Sequence, residues 1–498
     1  MGTVNTMPSR QRSSDRTAAA AVRRHLLAFG SLALAWGAGG CAVGPDYVAP
    51  KQTLAAFHNA PDVQARRAAA PAPPLDAWWT GFEDPVLTAI VQRALDQNLD
   101  LAAAFARVRQ ARAAASNAGA QLLPTFDLDA QAAVLHQSLD SPLGALGRNL
   151  PGYNRDQRLY DVGPAASWEI DLFGGLRRNA HAADAEAQAA AAERVGTRIS
   201  VAADAADAYI QVRGAQARLA VAREQIDVDT KLLALVKLRR EGGSSTQRET
   251  AQAAALLQQA QTVVPLLRIV LEGQLNRLDV LMGAQPGSYA HELADTGAIP
   301  PVPAMGDVDR PLDVLRRRPD VIAAERHLAA ANERIGAALS DYYPKISLSG
   351  ALGFDSLGGG HLFSARSFEP VGTGALRWRL FDFGKVDSEV AQARGRDAEE
   401  LATYRQTVLK AAEDVEDSFE ALSQTELRTQ QLHDEVGSLT QARDLSQQSY
   451  QAGAIALTDV LDADRQLLAA RDDLAANRAE AARAAVRSFR AVGGGWTT

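Results

Sequence analysis

Trp168-Glu169-Ile170-Asp171-Leu172-Phe173-Gly174 returns 210 residues later as Trp378-Arg379-Leu380-Phe381-Asp382-Phe383-Gly384. Two glycines keep the same offset: Gly243 with Gly453, and Gly283 in Leu281-Met282-Gly283 with Gly493 in Ala491-Val492-Gly493. Upstream the offset becomes 220, where Leu123-Pro124 matches Tyr343-Pro344, so the first half carries 10 extra residues between its Pro and its Trp. A register held this long predicts an internal tandem duplication.

Each half has the same order around these markers. An Ala-rich helical stretch comes first (85–122; 319–342), with apolar spacing near 3.6 in Val321, Ala324, Leu328, Ala331 and Ile335. A Pro ends it. Strict alternation follows, and period two means strand. Phe126, Leu128, Ala130 and Ala132 oppose Thr125, Asp127, Asp129 and Gln131. Over 160–172, Tyr160, Val162, Ala166, Trp168, Ile170 and Leu172 oppose Asp161, Gly163, Ser167, Glu169 and Asp171. The second half repeats this at Ile346, Leu348, Leu352 and Phe354, then at Leu376, Trp378 and Leu380 against Thr373, Arg377 and Arg379. After Gly174 and Gly384 the pattern is helical for about 65 residues, roughly 100 Å, and a helix that long must pack side by side with others. Glu241-Gly242-Gly243 and Ala452-Gly453-Ala454 then turn the chain into a returning helix. The expected fold is mainly α with a small β part.

The chain has 498 residues, 47% hydrophobic and 22% charged, which excludes a disordered protein. A formal charge of −7 and a pI near 5.7 argue against nucleic-acid binding, which needs a basic surface. Eight His and one Cys leave no structural zinc cluster and no disulfide, and no cofactor is expected. No continuous apolar run of spanning length follows the N-terminal region, so no membrane-spanning helix is expected there. Five Arg and one acid precede an apolar run from Leu26 to Trp36, then Ala38-Gly39-Gly40-Cys41, the layout of a secretory signal over 1–40. Cys41 after small residues resembles a bacterial lipobox, whose thiol is acylated; the alternative is ordinary cleavage beside an incidental Cys. Without 1–40 the chain keeps 47 basic and 58 acidic residues, a net −11. Residues 41–75 then form an Ala/Pro-rich linker carrying the anchor; 76–290 and 319–490 are the two repeats, joined by 291–318, and 491–498 is a tail.

The strands' polar faces carry Asp127, Asp129, Asp161, Glu169, Asp171, Arg377 and Arg379, and each half puts a Trp on the apolar face. In a transmembrane barrel the apolar face meets lipid and the charged face lines the lumen. Only a closed barrel satisfies its backbone in lipid, and four strands cannot close. If these strands span a membrane, several chains share one barrel. A soluble hairpin on a helical core also alternates.

The run Leu315-Arg-Arg-Arg-Pro-Asp-Val-Ile-Ala-Ala-Glu-Arg-His-Leu-Ala-Ala-Ala-Asn-Glu-Arg-Ile-Gly336 resembles the signature of TolC/OprM-type outer-membrane factors. So do Cys41-Ala-Val-Gly-Pro-Asp-Tyr47, Trp79…Phe82-Glu-Asp-Pro85 and Ala491-Val-Gly-Gly-Gly-Trp496; together they resemble the NodT-type efflux lipoproteins. The resemblance covers 41–496. It implies a homotrimer with a 12-stranded outer-membrane β-barrel and a long helical barrel in the periplasm. It further implies anchoring in outer-membrane lipid and docking to a periplasmic adaptor and an inner-membrane pump of the RND class.

In that family the helix tips close the tunnel, and the matching stretch here is Tyr450 to Arg465, with Thr458 among its tip residues. Asp459, Asp462 and Arg465 stand at steps of three, on one helix face. A symmetric trimer sets three Asp462 carboxylates around its axis, a ring that favours cations. Asp459 reads equally as a first-turn acid favoured by the helix dipole. Its first-half counterpart, Glu249, corresponds to an acid that ties to a Tyr, here Tyr450, and to a basic residue. Ile455 stands at that basic position. Thr246-Gln-Arg-Glu249 also has capping-box spacing. Gly243-Ser244 and Gly453-Ala454 match the tips on which adaptor helices dock; their backbone role is the sharp reversal itself. No phosphate loop, nucleophile elbow or metal-ligand pair stands in a plausible context, so no enzyme activity is expected. The function implied is a passive exit duct for small molecules. The alternatives are a polypeptide-secretion duct of the same fold and a non-channel periplasmic scaffold.

Overall fold

The computed structural model describes residues 42–51, 55–59, 72–305 and 311–496, so Cys41 and the signal segment lie outside the described residues. The chain divides into two compact units, one holding 112–186 and 328–399 together with the segment ending at Val48, the other holding 49–111, 187–327 and 400–498.

The first half runs through α1 (Pro85–Gln97), α2 (Leu99–Ala120), β1 (Thr125–His136), the short α3 (Pro142–Gly147), β2 (Asp156–Ile170), α4 (Gly175–Glu241) and α5 (Gln247–Leu281). The second runs through α6 (Pro311–Arg317), α7 (Pro319–Ser340), β3 (Lys345–Ser356), β4 (Phe368–Arg377), α8 (Lys385–Gln451) and α9 (Leu457–Ala491). Helices α4 and α8 are each 67 residues, and α5 and α9 are each 35. Strands β1 and β3 are each 12.

In the strand-bearing unit the sheet is an antiparallel meander, β1-β2-β3-β4. Both hairpins carry one register: Thr125 faces Ser167, and its counterpart Lys345 faces Arg377. Between the hairpins Trp168 faces Leu348 and Ile170 faces Ile346. Cross-strand neighbours share a face. Phe126, Leu128, Trp168, Leu348 and Leu376 therefore lie on one side, and all five are exposed. The other side carries Asp127, Asp129, Asp161, Glu169 and Arg377. Alternation in the sequence extends the fourth strand to Leu380, but β4 stops at Arg377. The reason is its partner: β3 begins at Lys345, opposite Arg377, so among the described residues Trp378–Leu380 have no strand beside them. β2 reaches Ile170 because β3 covers it.

Below the sheet the two indoles repeat one bond. Trp168 Nε1 donates to the Leu122 carbonyl at 2.9 Å, and Trp378 Nε1 to the Tyr342 carbonyl at 3.0 Å. The segment after Cys41 is clamped in this unit. Val43 N donates to the Phe173 carbonyl at 3.1 Å, while buried Arg178 holds Asp46 at 2.9 Å and Glu333 at 3.0 Å.

The helical unit is built on aromatic and alanine contacts. Trp78, fully buried, stacks on Phe489 at 5.3 Å and 9°, beside Trp79, Phe82 and Tyr209. Buried Ala202, Ala205, Ala206, Ala482, Ala484 and Ala485 let helices approach closely. The signature arginine run resolves here: buried Arg318 donates to the carbonyls of Ala411 (3.3 Å) and Ala491 (3.0 Å) and pairs with Asp320 and Asp414, each at 2.8 Å. Its first-half counterpart, Asn98, donates to Leu281, the counterpart of Ala491, at 3.0 Å. Helix α5 is long and apolar enough by composition to cross a membrane, because Val263 to Leu271 holds a single charge, Arg268. Its Leu267, Leu275 and Leu278 are nevertheless buried within this unit, while Leu266 and Ile269 are exposed.

Candidate functional site

The helix reversals in the helical unit are built the same way twice. At the end of α4, Ser244 N donates to the Arg239 carbonyl at 2.8 Å and Gly243 N to Arg240 at 3.0 Å. At the end of α8, Ala454 N reaches Ser449 at 2.9 Å and Gly453 N reaches Tyr450 at 3.0 Å. Both pairs form the motif that satisfies a helix's last carbonyls through one left-handed residue. Gly243 and Gly453 both have φ +76°, a conformation glycine adopts without penalty.

The returning helices start differently. Thr246 and Glu249 form a complete capping box: Thr246 N donates to Glu249 Oε2 at 2.7 Å and Glu249 N to Thr246 Oγ1 at 3.2 Å. Ser245 adds a third bond at 2.8 Å. The Thr246 amide, then the Ser245 hydroxyl, hold the Glu249 carboxyl below the usual carboxylate range. At α9 the cap position is Ala456, which has no side-chain acceptor, so only the return bond from Ala456 N to Asp459 Oδ2 (3.2 Å) forms. Thr458 is half-buried beside it, whereas Asp459 is exposed. Asp462 and Arg465 are both exposed, with Arg465 Nη1 3.5 Å from Asp462 Oδ1 on the same helix.

Tyr450 is buried among Leu232, Val236, Ala253, Leu256, Leu457 and Val460. Its ring is covered by Arg239, whose guanidinium carbon sits 4.5 Å from the centroid. Arg239 Nη1 also donates to the Tyr450 carbonyl at 3.3 Å. Within the chain, then, Tyr450 is held by Arg239 while Glu249 is occupied by its own cap. The structure brings Tyr450 to the tip but does not join it to Glu249.

Sequence reading missed three tip residues. Arg239 was one of several basic residues near the end of α4, with nothing to single it out. Asp229 and Asp464 are buried acids, at 1% and 4% exposure. Asp229 Oδ1 accepts from Gln225 at 2.8 Å, and its Oδ2 is buried with no hydrogen-bond partner among the described residues. Burial, with the nearby charge of Asp464, pushes the Asp229 carboxyl up to about 6, against the Gln225 bond. Burial also raises Asp464, opposed by Arg443, 4.0 Å away. Their spacing held the signal: Asp229 continues the stripe of Leu232 and Val236, and Asp464 that of Leu457, Val460, Leu461 and Leu467.

In the strand-bearing unit, Asp127, Asp129, Glu169 and Arg377 share one sheet face. Asp171 and Arg379, expected on strands, lie past the strand ends. Asp171 caps α4, accepting from Leu176 N at 3.1 Å and Arg177 N at 2.9 Å. Arg379 Nη1 lies 3.5 Å from Glu389 and 3.8 Å from Asp341.

An exposed apolar sheet face backed by a charged one, with β1 and β4 each paired on one side only, suits a sheet that is part of a larger membrane barrel. Residues 90–284 and 311–494 match the model of the outer membrane efflux protein family. The chain is 31% identical over 433 residues to the pyoverdine export outer membrane protein OpmQ of Pseudomonas aeruginosa, covering 84% of this chain and 87% of that one. It is 29% identical over 440 residues to nodulation protein T of Rhizobium leguminosarum bv. trifolii, covering 88% and 90%. The solved outer-membrane channel OprN superposes with a TM-score of 0.83 at 30% identity, over 92% of this chain and 100% of that one. The chain is a member of the outer membrane efflux protein family, whose proteins are channels of the outer membrane.

Proposed function

We propose that this chain forms, as a homotrimer, the outer-membrane exit duct of a tripartite efflux system. Three copies of the four-stranded meander close a 12-stranded barrel, and the duplicated helix pairs form the periplasmic conduit. Small molecules pass without chemistry at the duct, delivered by an inner-membrane RND pump through a periplasmic adaptor that docks at Gly243-Ser244 and Gly453-Ala454. The tips carrying Asp459, Asp462, Thr458, Tyr450, Glu249 and Arg465 restrict the closed conduit, and acylated Cys41 anchors the chain in the outer membrane. The carrying observation is the sheet itself: an exposed apolar face, a charged face and, among the described residues, two edges left open. Open edges in lipid leave backbone groups unsatisfied, which only closure with further strands removes. Small-molecule cargo is supported by relatives such as OpmQ, named for pyoverdine export.

Single-channel conductance in a planar bilayer tests this, wild type beside Asp462→Ala. Small cation-selective openings that grow, or lose selectivity, in the variant are expected. Channels indifferent to the substitution keep the duct and remove Asp462 from its gate. No conductance from inserted protein refutes the duct.

A further inference from the structure

The internal repeat sets the register of a seam that one chain does not contain. The first half's second strand meets the second half's first strand within this chain: Ser167 faces Ser349, Trp168 faces Leu348, Glu169 faces Ser347 and Ile170 faces Ile346. The equivalent junction at the other end joins β4 to β1 of another copy. Because the two hairpins share one register, the observed junction carries over residue by residue, at offsets of 210 for β4 and 220 for β1.

We propose that β4 pairs antiparallel with β1 of a second copy in a single register, with Arg377 opposite Asp129 and Arg379 opposite Asp127 of that copy. The proposal rests on the trimeric reading above and adds its seam. Four observations converge on it. First, the transferred register sets two cations against two acids, all exposed within one chain and all on one face. Opposite charges directly across a strand pair attract, and a slip of one residue would put every side chain on the wrong face. Second, on the other face it sets Trp378 opposite Leu128 and Leu380 opposite Phe126, large apolar groups 54%, 74%, 68% and 75% exposed in the lone chain. Third, it explains why β4 stops at Arg377: Trp378–Leu380 correspond to Trp168–Ile170, which are strand only because β3 lies beside them. Fourth, Phe173 stacks on Tyr343 at 4.5 Å and 18°. Its counterpart Phe383 is fully exposed, and the counterpart of Tyr343, Leu123, is 65% exposed. The same register brings those two together. The seam thus spans a charged stripe facing the lumen and an apolar stripe facing lipid.

Disulfide trapping in native outer membranes tests the register. Ala375→Cys is combined in turn with a Cys at 127, 129, 131, 133 and 135, and Leu376→Cys with Ala130→Cys, with single variants as blanks. The yield of cross-linked dimer is expected to peak at Gln131→Cys, about fivefold above the positions four residues away, since diagonal neighbours stand much further apart than opposed ones. A peak elsewhere in the series overturns the register while leaving the trimer standing. No cross-link anywhere, with trimer lost on native gels, refutes the trimer itself. A charge exchange gives a second readout. Arg377→Asp and Asp129→Arg should each lower the temperature at which detergent-solubilised trimer dissociates, and the double exchange should restore most of it. A double variant no better than the worse single one also overturns the pairing.

Discussion

The guanidinium carbon of Arg239 sits over the ring of Tyr450, 4.5 Å from its centre, and Arg239 Nη1 donates to the carbonyl of that same residue at 3.3 Å. The end of α4 is thereby fastened to the end of α8 by a residue on neither returning helix. Two of the family's expected tie points are differently engaged: Ile455 has no charge, and Glu249 closes its own capping box.

Removing this clasp is expected to loosen the tips. A cation over an aromatic face contributes about 0.5–2 kcal/mol, and the bond to the carbonyl about as much again. Arg239→Ala should raise the open fraction in bilayer recordings, while Arg239→Lys, which keeps the charge but not the broad guanidinium with its several donors, should fall between. Unchanged gating in Arg239→Ala would assign the clasp to stability alone.

The buried acids predict a pH response of definite sign. In the unfolded chain Asp229 ionises near 4, whereas in the folded chain it keeps its proton up to about 6. Between these values the folded form binds more protons, so stability falls as pH rises through the window; it is greatest below about 4 and lowest above about 6. Burial of Asp464 acts in the same sense. Asp229→Asn keeps the acceptor for Gln225 and removes the charge. Its thermal midpoint at pH 7 should exceed wild type by the equivalent of about 1–3 kcal/mol, with the gap closing at pH 4. Equal midpoints at both pH values would contradict the assignment.

Arg318 and Asn98 hold counterpart positions but different loads. Asn98 ties one carbonyl, Leu281. Arg318 ties two and also pairs with two carboxylates. Asn98→Ala should cost about 1 kcal/mol and Arg318→Ala about 3, because the latter takes the donor from the Ala491 carbonyl at the end of α9, removes a second bond from the Ala411 carbonyl within α8, and empties a buried site beside two carboxylates. Chemical denaturation in detergent measures both; similar losses would mean that the ion pairs carry no more than a single amide.

The paired markers 210 or 220 residues apart were legible because they have backbone reasons. The Pro of Leu123-Pro124 and Tyr343-Pro344 closes a helix, and Gly243 and Gly453 supply the left-handed turn. Trp168 and Trp378 need a carbonyl within reach of the indole. Alternation located the strands and both faces. It did not locate the end of β4, since a strand's length depends on its neighbour as well as its own residues. Asp171 looked like a strand charge because it keeps the parity, yet four residues later α4 begins and needs a cap. Asp229 and Asp464 sat on apolar stripes that a residue-by-residue scan for polar clusters passes over. Arg239 could be identified only once α8 was beside it.

The two hairpins differ in their connections: 19 residues join β1 to β2, including the short α3, whereas 11 join β3 to β4. Neither connection enters the shared register. The sheet's turn end is therefore where this architecture can lengthen, shorten or diversify freely between copies of the repeat, while the stave-like framework that carries it stays fixed in pitch and spacing. Variation and invariance are assigned to opposite ends of the same strands.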